Sequence, residues 1–338
     1  MSGKQSVRFA VIGSTGYAGA KVVRDAITVA SNCTLAAVQS LDTAAAKAQS
    51  ESFAVPWFSD PDKMLNEIEC DAVYVATPQD VHLSNVRLAA ERGLHVMCEK
   101  PLARNSAEAV EMVRLCEKNG VKFGTAFNCR FNSLHLKAKR LIEQGVIGKV
   151  VSVRCQYGQN YPPNPKAFRQ NLELAGGGSM VDMGNHAIDL IEFVVNKRFN
   201  HVMAVATNVV HNYPVEDTCA ALLEFEDGGF AFVDTYYCVD LNILRNDLEI
   251  NGSKGIIYTV DTLRGMVTGG KLVVKTAELN AQYDFDGRDM YLEEFEAFAK
   301  AILDNLPLPC TGYDGLHSQN LLDAIYQSAK TGQKVKIS

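Results

Sequence analysis

Short apolar runs alternate with amphipathic stretches along the first part of the chain. The runs VRFAVIG, TLAAVQS, DAVYVATP, LHVMCEKP and VKFGTAF have the continuous apolar character of buried strands. Between them lie segments whose apolar residues recur at helical spacing, such as SAEAVEMVRLCEKNG. Strands that alternate with helices predict a parallel sheet covered on both faces, the doubly wound Rossmann pattern, over roughly residues 5–127.

The pattern changes after this region. A helical stretch, a loop rich in Pro and Asn, and a glycine-led helix (GGGSMVDMGNHAIDLIEFVV) precede several β-rich runs between about 199 and 275, and two more helices follow near 289–304 and 315–330. We therefore predict an α/β protein with two domains. A dinucleotide-binding domain spans 1–127, and an α+β domain with an open, mostly antiparallel sheet spans 128–338.

Composition and charge exclude several classes of protein. The chain has 338 residues, a net charge of −6 and no cluster of Lys or Arg, which argues against a nucleic-acid partner. No apolar run approaches the roughly 20 residues of a membrane span. Nine cysteines are scattered without a C-x-x-C pair, and no signal peptide precedes the first strand, so we expect a cytoplasmic protein with reduced cysteines.

A glycine turn follows the first predicted strand in AVIGSTGYAGAKVV. In the dinucleotide fingerprint G-x-G-x-x-G/A, Gly13 and Ala18 match and Thr15 replaces the second glycine. The N–H groups at the start of the following helix suit a pyrophosphate. We predict a dinucleotide site here rather than a tight turn without a ligand, with contacts from Gly13, Ser14, Thr15, Gly16, Tyr17 and Ala18.

The end of the second strand bears on the choice of cofactor. An acidic residue there holds the ribose of NAD and repels the 2′-phosphate of NADP, but this chain has Ser40. Lys47 lies nearby in sequence, whereas Asp42 would disfavour a phosphate if it pointed inward. We predict NADP in preference to NAD, while Ser40 as a polar residue at a helix N-terminus is the alternative.

Two further segments contain residues suited to acid–base chemistry. Glu99-Lys100-Pro101 follows a buried strand, at the edge of a parallel sheet where ligands bind, although an ion pair in a solvated turn is the alternative. Asp182 and His186 stand at i and i+4 of a helix, with Asp189 one step further, after three glycines that permit a close backbone approach. The histidine suits proton transfer. A metal site is disfavoured because no other ligand cluster accompanies them.

Together these motifs resemble the glucose–fructose oxidoreductase, inositol dehydrogenase and rhizopine catabolism (Gfo/Idh/MocA) family. The resemblance rests on the strand-end Glu-Lys-Pro, ATPQDVH, NCRFN and the glycine-led D-x-x-x-H helix. It implies an NAD(P)-dependent enzyme whose catalytic residues are Lys100, Asp182 and His186, which with Asn128 also bind substrate. Further cofactor contacts are implied for Thr77, Pro78, His82, Glu99, Lys100 and Arg169.

We accordingly predict hydride transfer between a nicotinamide and a secondary alcohol or ketone, or an aldose and its lactone, of a sugar or polyol. In this scheme His186 moves the hydroxyl proton, Lys100 hydrogen-bonds that oxygen and Asp182 positions the substrate. Relatives that cleave glycosides without net redox change, and dinucleotide-binding sensors, are the alternatives. An open sheet needs cover on its second face, so we expect a homodimer or homotetramer.

Overall fold

The computed structural model describes residues 5–263 and 269–337. The chain divides into two compact units. The first comprises Met1–Asn128 and Asp289–His317, and the second comprises Cys129–Arg288 and Ser318–Ser338. Each unit has its own sheet and its own hydrophobic core.

The first unit is built on a six-stranded sheet in the order β3-β2-β1-β4-β5-β6. Every pair in it is parallel. This arrangement confirms the predicted doubly wound fold, in which the strand order reverses beside β1. The strands are β1 (Val7–Ile12), β2 (Cys33–Gln39), β3 (Trp57–Phe58), β4 (Ala72–Val75), β5 (His95–Glu99) and β6 (Phe123–Ala126).

Five α-helices connect these strands: α1 (Tyr17–Val22), α2 (Thr43–Phe53), α3 (Pro61–Glu67), α4 (His82–Ala90) and α5 (Ser106–Lys118). A π-helical turn, Val23–Ile27, continues α1, and a 3₁₀ turn, Gln79–Val81, precedes α4. Asp42, Asp60 and Asn105 cap helices by accepting backbone N–H bonds. Side-chain caps of this kind typically contribute about 1 kcal/mol each.

The second unit contains a nine-stranded sheet in the order β14-β13-β12-β11-β7-β10-β9-β8-β15. Among the strands that the structure describes in this sheet, only β7 and β10 pair in parallel, so the prediction of an open, mostly antiparallel sheet is confirmed. The strands are β7 (Val150–Gly158), β8 (Phe199–Thr207), β9 (Thr218–Phe225), β10 (Phe230–Tyr236), β11 (Leu248–Gly252), β12 (Gly255–Val260), β13 (Lys271–Thr276), β14 (Asn280–Asp284) and β15 (Val335–Lys336).

Helical segments of the second unit cover one face of this sheet. They are α6 (Ser133–Glu143), α8 (Asn185–Val195) and the π-helical segment Met180–Gly184 directly before α8. Helix α7 (Leu172–Ala175) and 3₁₀ turns at Asn128–Phe131 and Phe168–Gln170 are the other helical segments between β6 and β8. All residues of α8 except Phe193 are buried. Such an all-round burial identifies α8 as the central helix of this core.

Two helices close the chain: α9 (Met290–Leu303) and α10 (Gly312–Thr331). Helix α9 belongs to the first unit, and its Phe295 lies edge-on to Phe9 and Tyr74, with centroids 5.4 and 5.0 Å apart. Because these rings come from β1 and β4, α9 covers the sheet that the N-terminal segment forms. No helix in the described part of the chain is both long and apolar enough to cross a membrane.

Candidate active site

The glycine turn after β1 depends on two glycines for its shape. Gly13 has φ +82°, and a Cβ there would lie 2.8 Å from the backbone of Ala76. A Cβ on Gly19 would lie 2.3 Å from the Gly13 carbonyl oxygen. Gly16 differs, because its Cβ would make only ordinary contacts of 3.5 Å or more. Gly13 and Gly19 are therefore required by packing, and Gly16 is not.

The start of the helix after this turn suits an anionic ligand. Gly16 is the N-cap of α1 and supplies no side chain to bond the first-turn N–H groups. Helical backbone continues without a break from α1 through Ile27. The positive end of the dipole of this longer helix therefore lies at Gly16. The hydroxyl of Ser14 is fully buried and has no hydrogen-bond partner. These donors fit the phosphates of a dinucleotide.

The two departures from the dinucleotide fingerprint contact each other. The hydroxyls of Thr15 and Ser40 are 2.6 Å apart, which joins the glycine turn to the end of β2. Ser40 is buried and also accepts the N–H of Asp42 at 3.1 Å. The Asp42 carboxylate accepts the N–H of Ala45 at 3.0 Å as the exposed cap of α2. Hydroxyls, and not a carboxylate, therefore line the end of β2.

Glu99 is held at the carboxyl end of β5 by a phenol from the neighbouring strand. The Tyr74 hydroxyl donates to Glu99 Oε1 at 2.5 Å, and the Lys100 N–H donates to Oε2 at 3.2 Å. Burial, together with the charge of Glu99, raises the pKa of Tyr74 well above its ordinary value, so the phenol keeps its proton. Lys100 follows at this edge and precedes a cis peptide bond to Pro101. The predicted strand-end acid and base are thus placed where ligands of parallel sheets bind.

His82 ties this edge to the loop after β4. Its Nε2 lies 2.8 Å from the Thr77 carbonyl oxygen, and its Nδ1 lies 3.0 Å from the Leu102 carbonyl oxygen. Burial lowers the pKa of His82. The hydrogen bonds to the two carbonyls act in the opposite direction, but the effect of burial is larger. Asn85 also donates to the Thr77 hydroxyl, at 3.2 Å. His82 therefore connects the Thr77-Pro78 loop with the loop containing Lys100.

In the second unit, Asp182 is buried and accepts two hydrogen bonds on one oxygen. Arg169 Nε donates to Oδ2 at 3.1 Å and the Tyr237 hydroxyl donates to the same atom at 2.9 Å. Burial lowers the pKa of Arg169, but the Asp182 charge and hydrogen bond, together with the nearby Tyr161 and Tyr237, outweigh burial, and the pKa is raised. The guanidinium also lies over the Phe168 ring, 4.6 Å from its centroid. Asp182 therefore belongs to a fixed ion pair.

Asp182 lies in the π-helical segment, whereas His186 lies in the first turn of α8. The prediction that Asp182 and His186 share one face assumed 3.6 residues per turn. This period does not hold through a π turn. His186 Nδ1 lies 3.7 Å from the Cys129 sulfur, and the His186 ring packs 5.8 Å from that of Tyr157. Asp189 lies three positions after His186 within α8, and its carboxylate forms a buried, bidentate pair with Arg130, with N–O distances of 2.8 and 2.5 Å.

The glycines before this helix approach other parts of the protein. A Cβ on Gly178 would lie 2.0 Å from the Glu216 carbonyl oxygen, and one on Gly177 would lie 2.2 Å from the Tyr326 hydroxyl oxygen. The Glu216 carboxylate accepts the N–H groups of Gly178 and Met180 at 2.8 and 2.9 Å, and the Tyr326 hydroxyl at 2.8 Å. The close approach predicted from these glycines thus serves to hold the start of the Asp182 segment.

Asn128 is buried, and its side-chain oxygen has no hydrogen-bond partner. Within residues 5–263 and 269–337, no group of three or more His, Cys, Asp or Glu side chains is arranged to hold a metal ion. All nine cysteines are free thiols, and seven of them are buried.

Sequence reasoning missed Tyr74, Glu216 and Tyr237. Tyr74 stands within a run that was interpreted only as buried strand, although a polar phenol inside a parallel strand normally needs a partner. Glu216 and Tyr237 lie 34 or more positions after Asp182 in the sequence, and no local spacing connects them with it.

Comparisons with known proteins identify the family of both domains. Residues 7–127 match the model of the oxidoreductase family with an NAD-binding Rossmann fold, and residues 135–258 match the Gfo/Idh/MocA C-terminal domain. The D-xylose 1-dehydrogenase (NADP(+)) 2 of Haloferax volcanii is 31% identical, over 97% of this chain and 99% of its own length. The myo-inositol 2-dehydrogenase of Thermotoga maritima is 28% identical, over 83% of this chain and 84% of its own.

Solved structures show the same fold. The aldose-aldose oxidoreductase of Caulobacter crescentus, complexed with glycerol, superimposes with a TM-score of 0.90 at 26% identity, covering 98% of this chain and 99% of its own. Levoglucosan dehydrogenase in complex with NADH and levoglucosan has a TM-score of 0.86 at 22% identity, over 98% of this chain and 100% of its own. With these relatives and matched domains, the chain belongs to the Gfo/Idh/MocA family of NAD(P)-dependent oxidoreductases.

Proposed function

We propose that this protein is a dehydrogenase or reductase that uses NADP in preference to NAD and acts on a hydroxyl-bearing carbon of a sugar or polyol. The observation that carries the proposal is a buried, doubly hydrogen-bonded Asp182 in the π-helical segment that continues directly into α8, whose first turn contains the buried His186. The relatives named for D-xylose and myo-inositol support a polyhydroxylated substrate. Asp182 and His186 offer an acceptor and a proton-exchanging group for two hydroxyls of such a ligand.

The proposed roles of the residues follow from their chemistry. The nicotinamide, when bound, accepts or supplies the hydride. His186 exchanges the proton of the reacting hydroxyl, and Lys100 donates a hydrogen bond to the same oxygen. Asp182 accepts a hydrogen bond from a second substrate hydroxyl, and its bonds to Arg169 and Tyr237 keep the carboxylate in one orientation. Asn128, with a buried oxygen lacking a partner, is a further substrate contact.

The cofactor is proposed to lie along the glycine turn and the carboxyl ends of the strands. The uncapped start of α1 suits the pyrophosphate, with contacts from Gly13, Ser14, Thr15, Gly16, Tyr17 and Ala18. Thr77, Pro78, His82, Glu99 and Lys100 contribute the part nearest the nicotinamide, and Arg169 completes this set. Because His82 is buried between two carbonyls, its contribution is to hold the Thr77-Pro78 loop in place.

The first experiment is an absorbance assay of net nicotinamide reduction and oxidation. The purified protein receives each oxidised cofactor with a panel of aldoses, inositols and sugar acids, and each reduced cofactor with keto-sugars. We expect net turnover with at least one substrate, and Lys100→Met and His186→Asn lower its kcat by about 100-fold or more. Wild-type kcat in both variants would contradict the assigned roles. Cofactor binding without net turnover across the panel would contradict the dehydrogenase.

The preference for NADP rests on the hydroxyl pair of Thr15 and Ser40. Hydroxyls donate to a 2′-phosphate and carry no repelling charge, whereas a carboxylate at this place would repel it. Ser40→Asp should therefore lower the ratio of kcat/KM for NADP to that for NAD by about 100-fold. Asp42→Asn is the matched control, since the exposed Asp42 carboxylate only caps α2, and it should leave that ratio unchanged. An unchanged ratio in Ser40→Asp would refute the preference.

We also propose a homodimer formed through the open face of the second sheet. One row across this face contains Met203, Leu222, Phe232, Arg154 and Glu249 on five adjacent strands. Three of these side chains are large, apolar and exposed, and the row ends in charges of opposite sign. A two-fold contact through this row brings Phe232 against its own copy and buries the three apolar side chains. Light scattering should show a dimer for the wild-type protein and a monomer for Phe232→Lys. A monomeric wild-type protein would overturn this.

A further inference from the structure

A proline-rich loop, residues 159–167, connects β7 with the 3₁₀ turn Phe168–Gln170 in the second unit. Its residues 162–166 are exposed, and three of these five are prolines. Proline has no backbone N–H, so this stretch of chain contains few donors of its own. The carbonyl groups of the loop therefore need donors from side chains or from water.

The buried side chain of Gln170, which is 7% exposed, bonds three backbone groups of this loop. Its Nε2 donates to the Pro162 carbonyl oxygen at 2.9 Å and to the Tyr161 carbonyl oxygen at 3.3 Å. Its Oε1 accepts the Asn164 N–H at 2.7 Å. A glutamine amide has two N–H donors and one carbonyl acceptor, so it matches these three groups in number and kind.

Both ends of the loop contact the side chains around Asp182. At the first end, the Tyr161 N–H donates to the Tyr237 carbonyl oxygen at 2.7 Å, and the two rings meet edge-on with centroids 4.7 Å apart. The Tyr237 hydroxyl in turn donates to Asp182 Oδ2. At the other end, Arg169 donates to the same oxygen. The loop therefore lies beside the carboxylate that is proposed to bind substrate.

We propose that Gln170 is a positioning residue that holds loop 159–167 beside Asp182, where the loop discriminates between sugars or polyols by their hydroxyl groups away from the reacting carbon. The proposal rests on the proposed function of Asp182 and goes beyond it. A loop held in one conformation loses less conformational entropy when the substrate binds. Removing the amide bonds should therefore weaken substrate binding and discrimination, while the groups of the chemical step keep their positions.

The first test is limited proteolysis of the purified full-length protein with endoproteinase Lys-C, which cleaves after lysine. Lys166 is exposed and is the single lysine in the sequence of the loop, so cleavage after it, identified by mass spectrometry, reports on the loop. Cleavage follows the population of the open loop, and we expect it to be faster by about tenfold or more in Gln170→Met and in Gln170→Glu. Glutamate keeps the shape of glutamine but lacks its N–H donors.

Gln156→Met is the matched control for these variants. The Gln156 amide of β7 also has two partners, since it donates to Asp234 at 2.9 Å and accepts the Arg245 N–H at 3.2 Å. Its loss should leave cleavage after Lys166 at the wild-type rate. Wild-type cleavage in both Gln170 variants would overturn the proposal. Wild-type cleavage in Gln170→Glu alone would also overturn it, because the shape of the side chain, and not its donors, would then hold the loop.

The second test is steady-state kinetics on the substrate found by the absorbance assay and on its epimers. Both Gln170 variants should raise KM by about tenfold, keep kcat within about twofold of wild type and lower the preference for that substrate over its epimers. Faster cleavage with unchanged KM and preference would overturn the role of the loop in substrate selection, and so would a fall in kcat at unchanged KM. If no substrate is found, the proposed function fails, but the proteolysis still decides whether Gln170 holds the loop.

Discussion

Glycines precede a helix in two places: the glycine turn of the first unit and the Asp182 segment of the second. The glycines have different roles in the two places. In the first unit the turn closes on itself and on the β4 loop, and it leaves the start of α1 without a side-chain cap. In the second unit the Glu216 carboxylate bonds the N–H groups of Gly178 and Met180. An uncapped helix start favours an anionic ligand, while a capped one fixes the side chains that follow it.

Replacing glycines of the first turn should separate its packing from its binding of cofactor. A Cβ at Gly19 would overlap the Gly13 carbonyl, so we expect Gly19→Ala to lower the free energy of unfolding by about 3 kcal/mol, measured by denaturant titration. Gly16→Ala has room and should keep its stability, but it should weaken dinucleotide binding, measured by calorimetry. Equal stability of the two variants would contradict the packing difference.

Removing the cap of the second segment should lower stability and change its pH dependence. Glu216→Gln loses a carboxylate acceptor for buried N–H groups, and we expect a cost of about 2 kcal/mol at pH 5 in chemical denaturation. Burial raises the pKa of Glu216 above its ordinary value, although its hydrogen bonds oppose this. The folded state thus binds that proton more tightly than the unfolded chain.

The stabilising contribution of this proton is complete below the ordinary glutamate pKa of about 4.3 and is lost as the pH rises through the higher folded value. Glu216→Gln should therefore remove part of the fall in stability that accompanies a rise in pH above about 4. The adjacent Asp217 is the control, because backbone N–H groups outweigh its burial and lower its pKa. Asp217→Asn should leave the Glu216-dependent fall in place, and an identical slope in wild type and Glu216→Gln would refute the argument.

The bond from Tyr237 to Asp182 should affect turnover more than stability. Tyr237→Phe leaves Arg169 as a donor to Asp182 Oδ2 but removes the phenol, so we expect kcat/KM for the substrate to fall by about tenfold. Tyr236→Phe is matched to it, since Tyr236 is the neighbouring residue and its hydroxyl donates to Asp234, 2.7 Å away. Steady-state kinetics of both variants give the comparison, and equal losses would contradict a specific role for Tyr237.

The same comparison explains what the sequence could predict. The strands of the first unit, the Gly13 turn and the edge containing Glu99 and Lys100 follow from short-range patterns, because a parallel sheet places all its strand ends on one edge. The Asp182 segment was predicted as α-helix, yet it begins as a π turn held by Glu216, whose position depends on contacts between residues far apart in sequence. Period alone does not reveal such a turn.

Local sequence patterns also could not predict which side chains contact each other. Asp189 was predicted to share a face with His186, and the structure pairs it with Arg130, 59 positions earlier. Cys129 was interpreted only as a buried thiol, and its contact with His186 spans 57 positions. The roles of Lys100, Asp182 and His186 remain predictions based on their chemistry and family resemblance.

We propose that His186 of the second unit takes part in the chemical step, whereas the glycine turn of the first unit binds the cofactor. The most direct measurement is single-turnover hydride transfer in His186→Asn, with the cofactor Kd measured in parallel. We expect a Kd within about threefold of wild type and a hydride-transfer rate lowered by about 100-fold or more. A wild-type transfer rate, or a loss explained entirely by weaker cofactor binding, would contradict it.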